Sequence, residues 1–183
     1  VNVPLSFPAL VVLVCTAIAA ATDWHNFTIR NFITLPLVAS GIIYHAFFGD
    51  AKGLADSVGA VCLVGVILFI PYALGAMGAG DLKLMAGVAA WLGIQQTFYV
   101  LVASSIAAGV YALILLVQPG DLKRTLLNFQ VMYYKLRALS AHLGPDERIE
   151  TIVGQENRRR RAIPYGVMVA LGVVIVLVWT NWR

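Results

Sequence analysis

Apolar residues run almost unbroken through five stretches of this chain, and polar residues gather in the short breaks between them. Leu5–Ala21, Asn31–Phe48, Leu54–Leu74 and Ile163–Thr180 have the lengths of helices that cross a hydrocarbon core of roughly 30 Å at about 1.5 Å per residue. The remaining stretch, Leu84–Val117, has 34 residues and is interrupted only by Gly93-Ile94-Gln95-Gln96. That is too long for one comfortable crossing and enough for two short ones joined by a tight turn. The pattern therefore predicts an all-α polytopic membrane protein of six transmembrane helices, a single domain over residues 1–183.

Residues 118–162 change character. Leu122, Leu126, Phe129, Tyr133, Leu136, Leu139 and Leu143 recur at three- and four-residue steps, with Lys123, Arg124, Lys135 and Arg137 between them. This spacing predicts a basic amphipathic helix lying on the membrane surface. Gly144 to Arg161 is polar and ends in four consecutive arginines, Arg158–Arg161, read as an anchor facing anionic lipid headgroups. Nothing in the chain presents that run to a nucleic acid.

Charge then orients the spans. With six crossings and the first residue outside, eleven of the thirteen Lys and Arg fall on the inner side: Arg30, Lys83 and nine in residues 118–162. Lys52 and Arg183 are left outside, as the positive-inside rule requires. Reading 84–117 as one span would set the long loop opposite Arg30 and Lys83. The predicted location is a membrane crossed several times, with residues 118–162 on its cytoplasmic side. The first run also ends in Ala19-Ala20-Ala21, like a signal-peptide cleavage site, but it lacks the basic start of such peptides and is read as a span.

Composition agrees: 60% of residues are hydrophobic and 12% charged, against about 25% charged in a soluble domain. Cys15 and Cys62 stand singly in apolar runs, with neither the spacing nor the histidines of a zinc site. No metal and no cofactor is expected.

On this topology Asp23 and Asp81 share the cytoplasmic face, and no acid lies at the midplane. Acids so close to a bilayer are costly and are functional candidates. Two carboxylates brought together cannot both ionise easily, so one keeps a proton. The ionised one can then take a proton from water while the other polarises a peptide carbonyl. Gly75, Gly78 and Gly80 precede a helix expected near Leu82, and are read as freeing the backbone around Asp81 and leaving room for a substrate strand. Lys83 is a candidate to tune Asp81 or touch substrate, or a simple inner-face anchor. Asn31 is a candidate to hydrogen-bond near Asp23 or to cap the second span. His25 reads as interfacial, Asp50 and Asp56 as solvated acids at the outer edge of the third span, and Pro36 and Pro71 as helix kinks. Trp24, Trp91, Trp179 and Trp182 read as interface anchors or packing residues.

Asp23, followed after five residues by Ile29-Arg30-Asn31, resembles the D-x5-I-P-N element of type IV prepilin peptidases. Gly78-Ala79-Gly80-Asp81-Leu82-Lys83 resembles their G-x-G-D-x-K element, and Ile163-Pro164-Tyr165-Gly166 is similar to a further family pattern. The resemblance implies an aspartic protease with Asp23 and Asp81 catalytic. It implies a substrate with a short basic leader in the cytoplasm and a hydrophobic helix in the bilayer, cut after a glycine. Arg30 departs from the family's usual proline. Only about nine residues separate the first two spans here, where larger members carry a domain with two CxxC pairs. The chain is similar to the short form that serves Flp-type pili, and neither methyltransferase activity nor an S-adenosylmethionine site is expected. Outside this family, a small ion-coupled transporter or a non-catalytic secretion-apparatus scaffold would suit the same composition; a transporter calls for midplane acids that the chain lacks.

Overall fold

The computed structural model describes residues 7–26, 31–74, 77–116 and 165–182. The expected amphipathic helix, the Arg158–Arg161 run, Ile29-Arg30 and Ile163-Pro164 lie outside the described residues, as do the side chains of Trp24, His25 and Asn31. Among the described residues the chain is all-α: α1 Phe7–Asn26, α2 Asn31–Phe48, α3 Ala51–Ala73, α4 Ala79–Leu116 and α5 Tyr165–Trp182. Two compact units divide it, Val1–Ala108 with Pro164–Arg183, and Gly109–Ile163. The hydrophobic core and both aspartates belong to the first unit, which takes in α4 as far as Ala108.

The stretch expected to form two spans is a single element in hydrogen-bond terms, broken at Gly93, where φ is 74° and ψ 179°. Only glycine occupies that region readily. The contacts on either side show that the chain reverses there. Before the break, the Trp91 ring meets Phe7 at 6.0 Å and Tyr44 at 5.1 Å, at the start of α1 and near the end of α2. After it, Tyr99 packs edge-on against Trp179 at 5.5 Å, near the end of α5, while Val100 and Ser104 lie beside Gly172. The residues after Gly93 therefore run antiparallel to α5.

Asp56 and Ser57 hold the reversal from α3. The Ile94 N–H donates to Asp56 Oδ1 at 3.3 Å, and the Ser57 hydroxyl donates to the Ala90 carbonyl at 2.7 Å. Asp56 is exposed, as expected, but it is also a capping acceptor, a role that the expectation of a merely solvated acid missed.

Every residue from Leu84 to Trp91 is buried. A helix apolar on all sides belongs in the centre of its neighbours, and this segment supplies Leu84, Met85 and Val88 to the core beside Val12, Val64, Val169 and Val173. Packing between α2 and α4 is close because each helix turns a glycine to the other. A Cβ on Gly41 would stand 2.8 Å from the Ala90 Cβ, and one on Gly87 would stand 2.7 Å from Leu37 Cδ2. The Trp91 indole N–H donates to the Leu37 carbonyl at 3.0 Å, so this tryptophan is a packing residue. The opposite faces are apolar too: Phe32, Phe47, Phe48 and Val66 are largely exposed. Apolar exposure on that scale fits contact with lipid. Ala51–Ala73 and Ala79–Ile114 are long and apolar enough to cross a membrane, and Phe7–Asp23, Phe32–Phe48 and Tyr165–Thr180 are shorter apolar helices.

Candidate active site

Asp23 and Asp81 lie just past the ends of the apolar stretches 5–21 and 84–117. Three helix ends meet around them: the last turn of α1, the first turn of α4 and the first turn of α5. α1 runs on through Asp23 to Asn26, beyond the point where its apolar pattern stops. Asp23 is therefore on helical backbone and 5% exposed. Its Oδ2 accepts the Gly166 N–H at 2.9 Å. That N–H belongs to the first turn of α5, where backbone donors have no partner within their own helix.

α4 starts at Ala79, earlier than the expected Leu82, so Gly80 and Asp81 are in its first turn rather than ahead of it. The reason is local. Asp81 sits three residues past Gly78, and its Oδ2 accepts the Gly78 N–H at 3.3 Å while the Leu82 N–H donates to the Gly78 carbonyl at 3.4 Å. This is the acid half of a capping box, with the negative charge at the positive end of the helix. The glycines thus act differently from the expectation. Among the described residues the left-handed backbone is at Gly93, while Gly78 supplies a cap N–H and Gly80 is helical. Gly75 lies outside the described residues. Lys83 is half-buried two residues past Asp81, and Asn31 opens α2.

The two acids are electrostatically coupled. Burial, first, and the charge of Asp23, second, raise the Asp81 carboxyl to about 6, against the opposing Gly78 N–H. Burial also raises Asp23, and the Gly166 N–H works the other way. Coulomb's law makes such an effect steeply dependent on distance and burial. Below the Asp81 value of about 6 the arrangement can hold one negative charge and one proton on the two coupled carboxyls.

Tyr165 joins the same neighbourhood. Its hydroxyl interacts with the Ser104 and Ser105 side chains and senses the charge of Asp81. Neither Tyr165 nor Gly166 stood out as chemistry in the sequence. A backbone N–H carries no residue signature, and the one available signal was the similarity of Ile163-Pro164-Tyr165-Gly166 to a family pattern. No cluster of three or more His, Cys, Asp or Glu suited to a metal occurs among the described residues. Cys15 and Cys62 are free.

The fold and site describe an apolar helical protein with two coupled carboxyls at one end of its helices. The chain belongs to the type IV leader peptidase family, whose sequence model matches residues 10–113 and takes in both aspartates. Comparison with curated proteins and with solved structures finds no match. Tyr165 and Gly166 lie beyond the matched residues.

Proposed function

We propose that the protein is a membrane aspartic endopeptidase that removes the leader of type IV, Flp-like prepilins, with Asp23 and Asp81 as its catalytic pair. Membership in a leader peptidase family supports the peptidase reaction. The observation that carries the choice of residues is the coupling of Asp81 to a buried Asp23 across 58 positions of sequence. A pair sharing one proton can activate water and polarise a carbonyl at once, with no metal and no covalent intermediate.

The chain is proposed to cross an inner membrane six times, the reversal at Gly93 separating the fourth and fifth crossings. This orientation puts the pair at the cytoplasmic face, where the basic leader of a prepilin would lie while its hydrophobic helix stays in the bilayer. Anionic inner-leaflet lipids are the proposed neighbours of the 118–162 loop. A cysteine at position 155 should then react with an impermeant reagent from the inside alone; reaction from outside would overturn the orientation.

The deciding experiment incubates purified protein in lipid with a prepilin. Wild type should release the leader, and Asp23→Asn and Asp81→Asn should each lose cleavage while inserting normally. Cleavage by a stably inserted Asp81→Asn protein would remove the Asp-pair mechanism, and failure of the inserted wild type to cleave a prepilin would return the transporter or scaffold reading.

A further inference from the structure

We propose that the first turn of α5 belongs to the catalytic apparatus: the Gly166 N–H is a positioning group that holds Asp23 as the carboxylate, so Asp23 is the base and Asp81 the proton carrier. This rests on the aspartic peptidase reading and adds a division of labour that the pair alone leaves open.

Geometry distinguishes the two acids. Asp23 accepts a buried N–H at 2.9 Å, whereas Asp81 accepts an exposed one at 3.3 Å. A short hydrogen bond to a charged acceptor, shielded from water, favours the ionised form more than a long exposed one. The donor also sits at a helix N-terminus, whose partial positive charge favours an anion. Asp81 has its own helix N-terminus, so that contribution is shared, and the short buried N–H is what separates them. Burial opposes ionisation at both.

The position of Gly166 is itself fixed. Gly172, six residues on, lets α5 approach residues 100–104 so closely that a Cβ there would lie 3.0 Å from the Val100 carbonyl oxygen and the Ser104 nitrogen. Tyr165 reaches the Ser104 and Ser105 side chains at the helix start. These two contacts set α5 along its axis and bring the N–H to Asp23. Among the described residues the titratable groups acting at the pair are the two acids themselves and Tyr165, with Lys83 in the same turn of α4.

The chemistry then runs in one direction. The Asp23 carboxylate takes a proton from water as the water oxygen bonds to the scissile carbonyl carbon. Asp81 gives its proton to the carbonyl oxygen, leaving a neutral tetrahedral diol. Asp23 passes its proton to the leaving nitrogen as the carbon–nitrogen bond breaks, and the diol returns a proton to Asp81. One water is consumed and both carboxyls end as they began.

Two measurements test this. In infrared difference spectra recorded as pH falls from about 7 to about 4, wild type should gain a protonated-carboxyl band near the value of about 6 to which Asp81 is raised; that band should vanish in Asp81→Asn, and in Asp23→Asn it should persist but appear at lower pH, because the like charge is gone. A band that stays in place in Asp81→Asn, or that is missing at every pH in Asp23→Asn, overturns the assignment. This readout needs no turnover, so it stands apart from whether prepilin is cleaved. Gly166→Pro deletes the N–H in a helix's first turn, where proline is tolerated. It should move the acid limb of the kcat/KM profile to higher pH by about one unit, a tenfold loss on that limb. Gly166→Ala retains the N–H and should keep the limb in place whatever its rate. An unmoved limb in an inserted, active Gly166→Pro protein overturns the proposal; if that variant does not insert, the infrared assignment decides.

Discussion

Asp56, on α3, accepts the N–H of Ile94, one residue past Gly93, and its carboxylate occupies the space that a side chain at position 93 would need. The turn thus depends on two residues at once, one supplying backbone freedom and the other an acceptor. Gly93→Ala should destabilise by about 2 kcal/mol or more, from a strained backbone together with the collision. Asp56→Ala should cost about 1 kcal/mol for the lost cap. Adding Asp56→Ala to Gly93→Ala should relieve the collision, so the double variant should be less damaged than the two losses added together. Thermal unfolding in detergent measures all three, and strict additivity would show that the collision is not felt.

Glycines in the helices should respond according to what faces them. A Cβ at Gly41 would meet both the side chain and the backbone of Ala90, and the Trp91 ring. Gly41→Ala is expected to destabilise by about 1–3 kcal/mol, the usual cost of overpacking. Gly65 has nothing within 4 Å of a new Cβ, so Gly65→Ala should stabilise by about 0.5–1 kcal/mol through helix propensity. Equal effects at the two sites would contradict the close approach of α2 and α4.

Asp81 should weaken the fold at neutral pH. Its carboxyl rises from 3.8 in the open chain to about 6 in the folded one. Below the lower value both states carry the proton. Between the two values the folded state keeps a proton that the unfolded chain has released, so stability falls as pH rises through this window. The loss reaches at most about 3 kcal/mol above it, less about 0.3–1 kcal/mol returned by the helix end. Asp81→Asn should therefore melt higher than wild type at pH 8, with the difference closing toward pH 4. A lower melting temperature at pH 8 would contradict this.

Cleavage should follow a bell. Its alkaline limb marks loss of the Asp81 proton and falls near 6 in the free enzyme. Its acid limb marks protonation of Asp23, above the ordinary carboxylate range because burial raises that group. The dependence of kcat/KM on pH reports both. A rate flat from pH 5 to 8 would exclude a shared proton.

The sequence made the helices legible because lipid-facing and core-facing positions are alike apolar, and long apolar runs have few other folds open to them. The same uniformity hid the boundaries. α1 continues past its apolar stretch to Asn26, and α4 starts at a glycine cap ahead of its own. The break at Gly93 was visible as Gly-Ile-Gln-Gln within a run too long for one crossing. Its partner Asp56 was not, since an exposed acid looks the same whether or not it accepts an N–H. Asp23 and Asp81 were legible because carboxylates are rare in such a chain and one lies between glycines and lysine. Gly166 was invisible for the opposite reason: its contribution is a backbone atom, set in place by packing at Gly172 and Tyr165.

The bond between Gly166 and Asp23 spans 143 positions of sequence. As the chain leaves the ribosome, Asp23 and Asp81 enter the membrane well before the segment that pins one of them. For that interval both acids exist without the group that fixes which is ionised. A peptidase assembled in this order stays unarmed until α5 has been made, and gains its polarity when that helix docks.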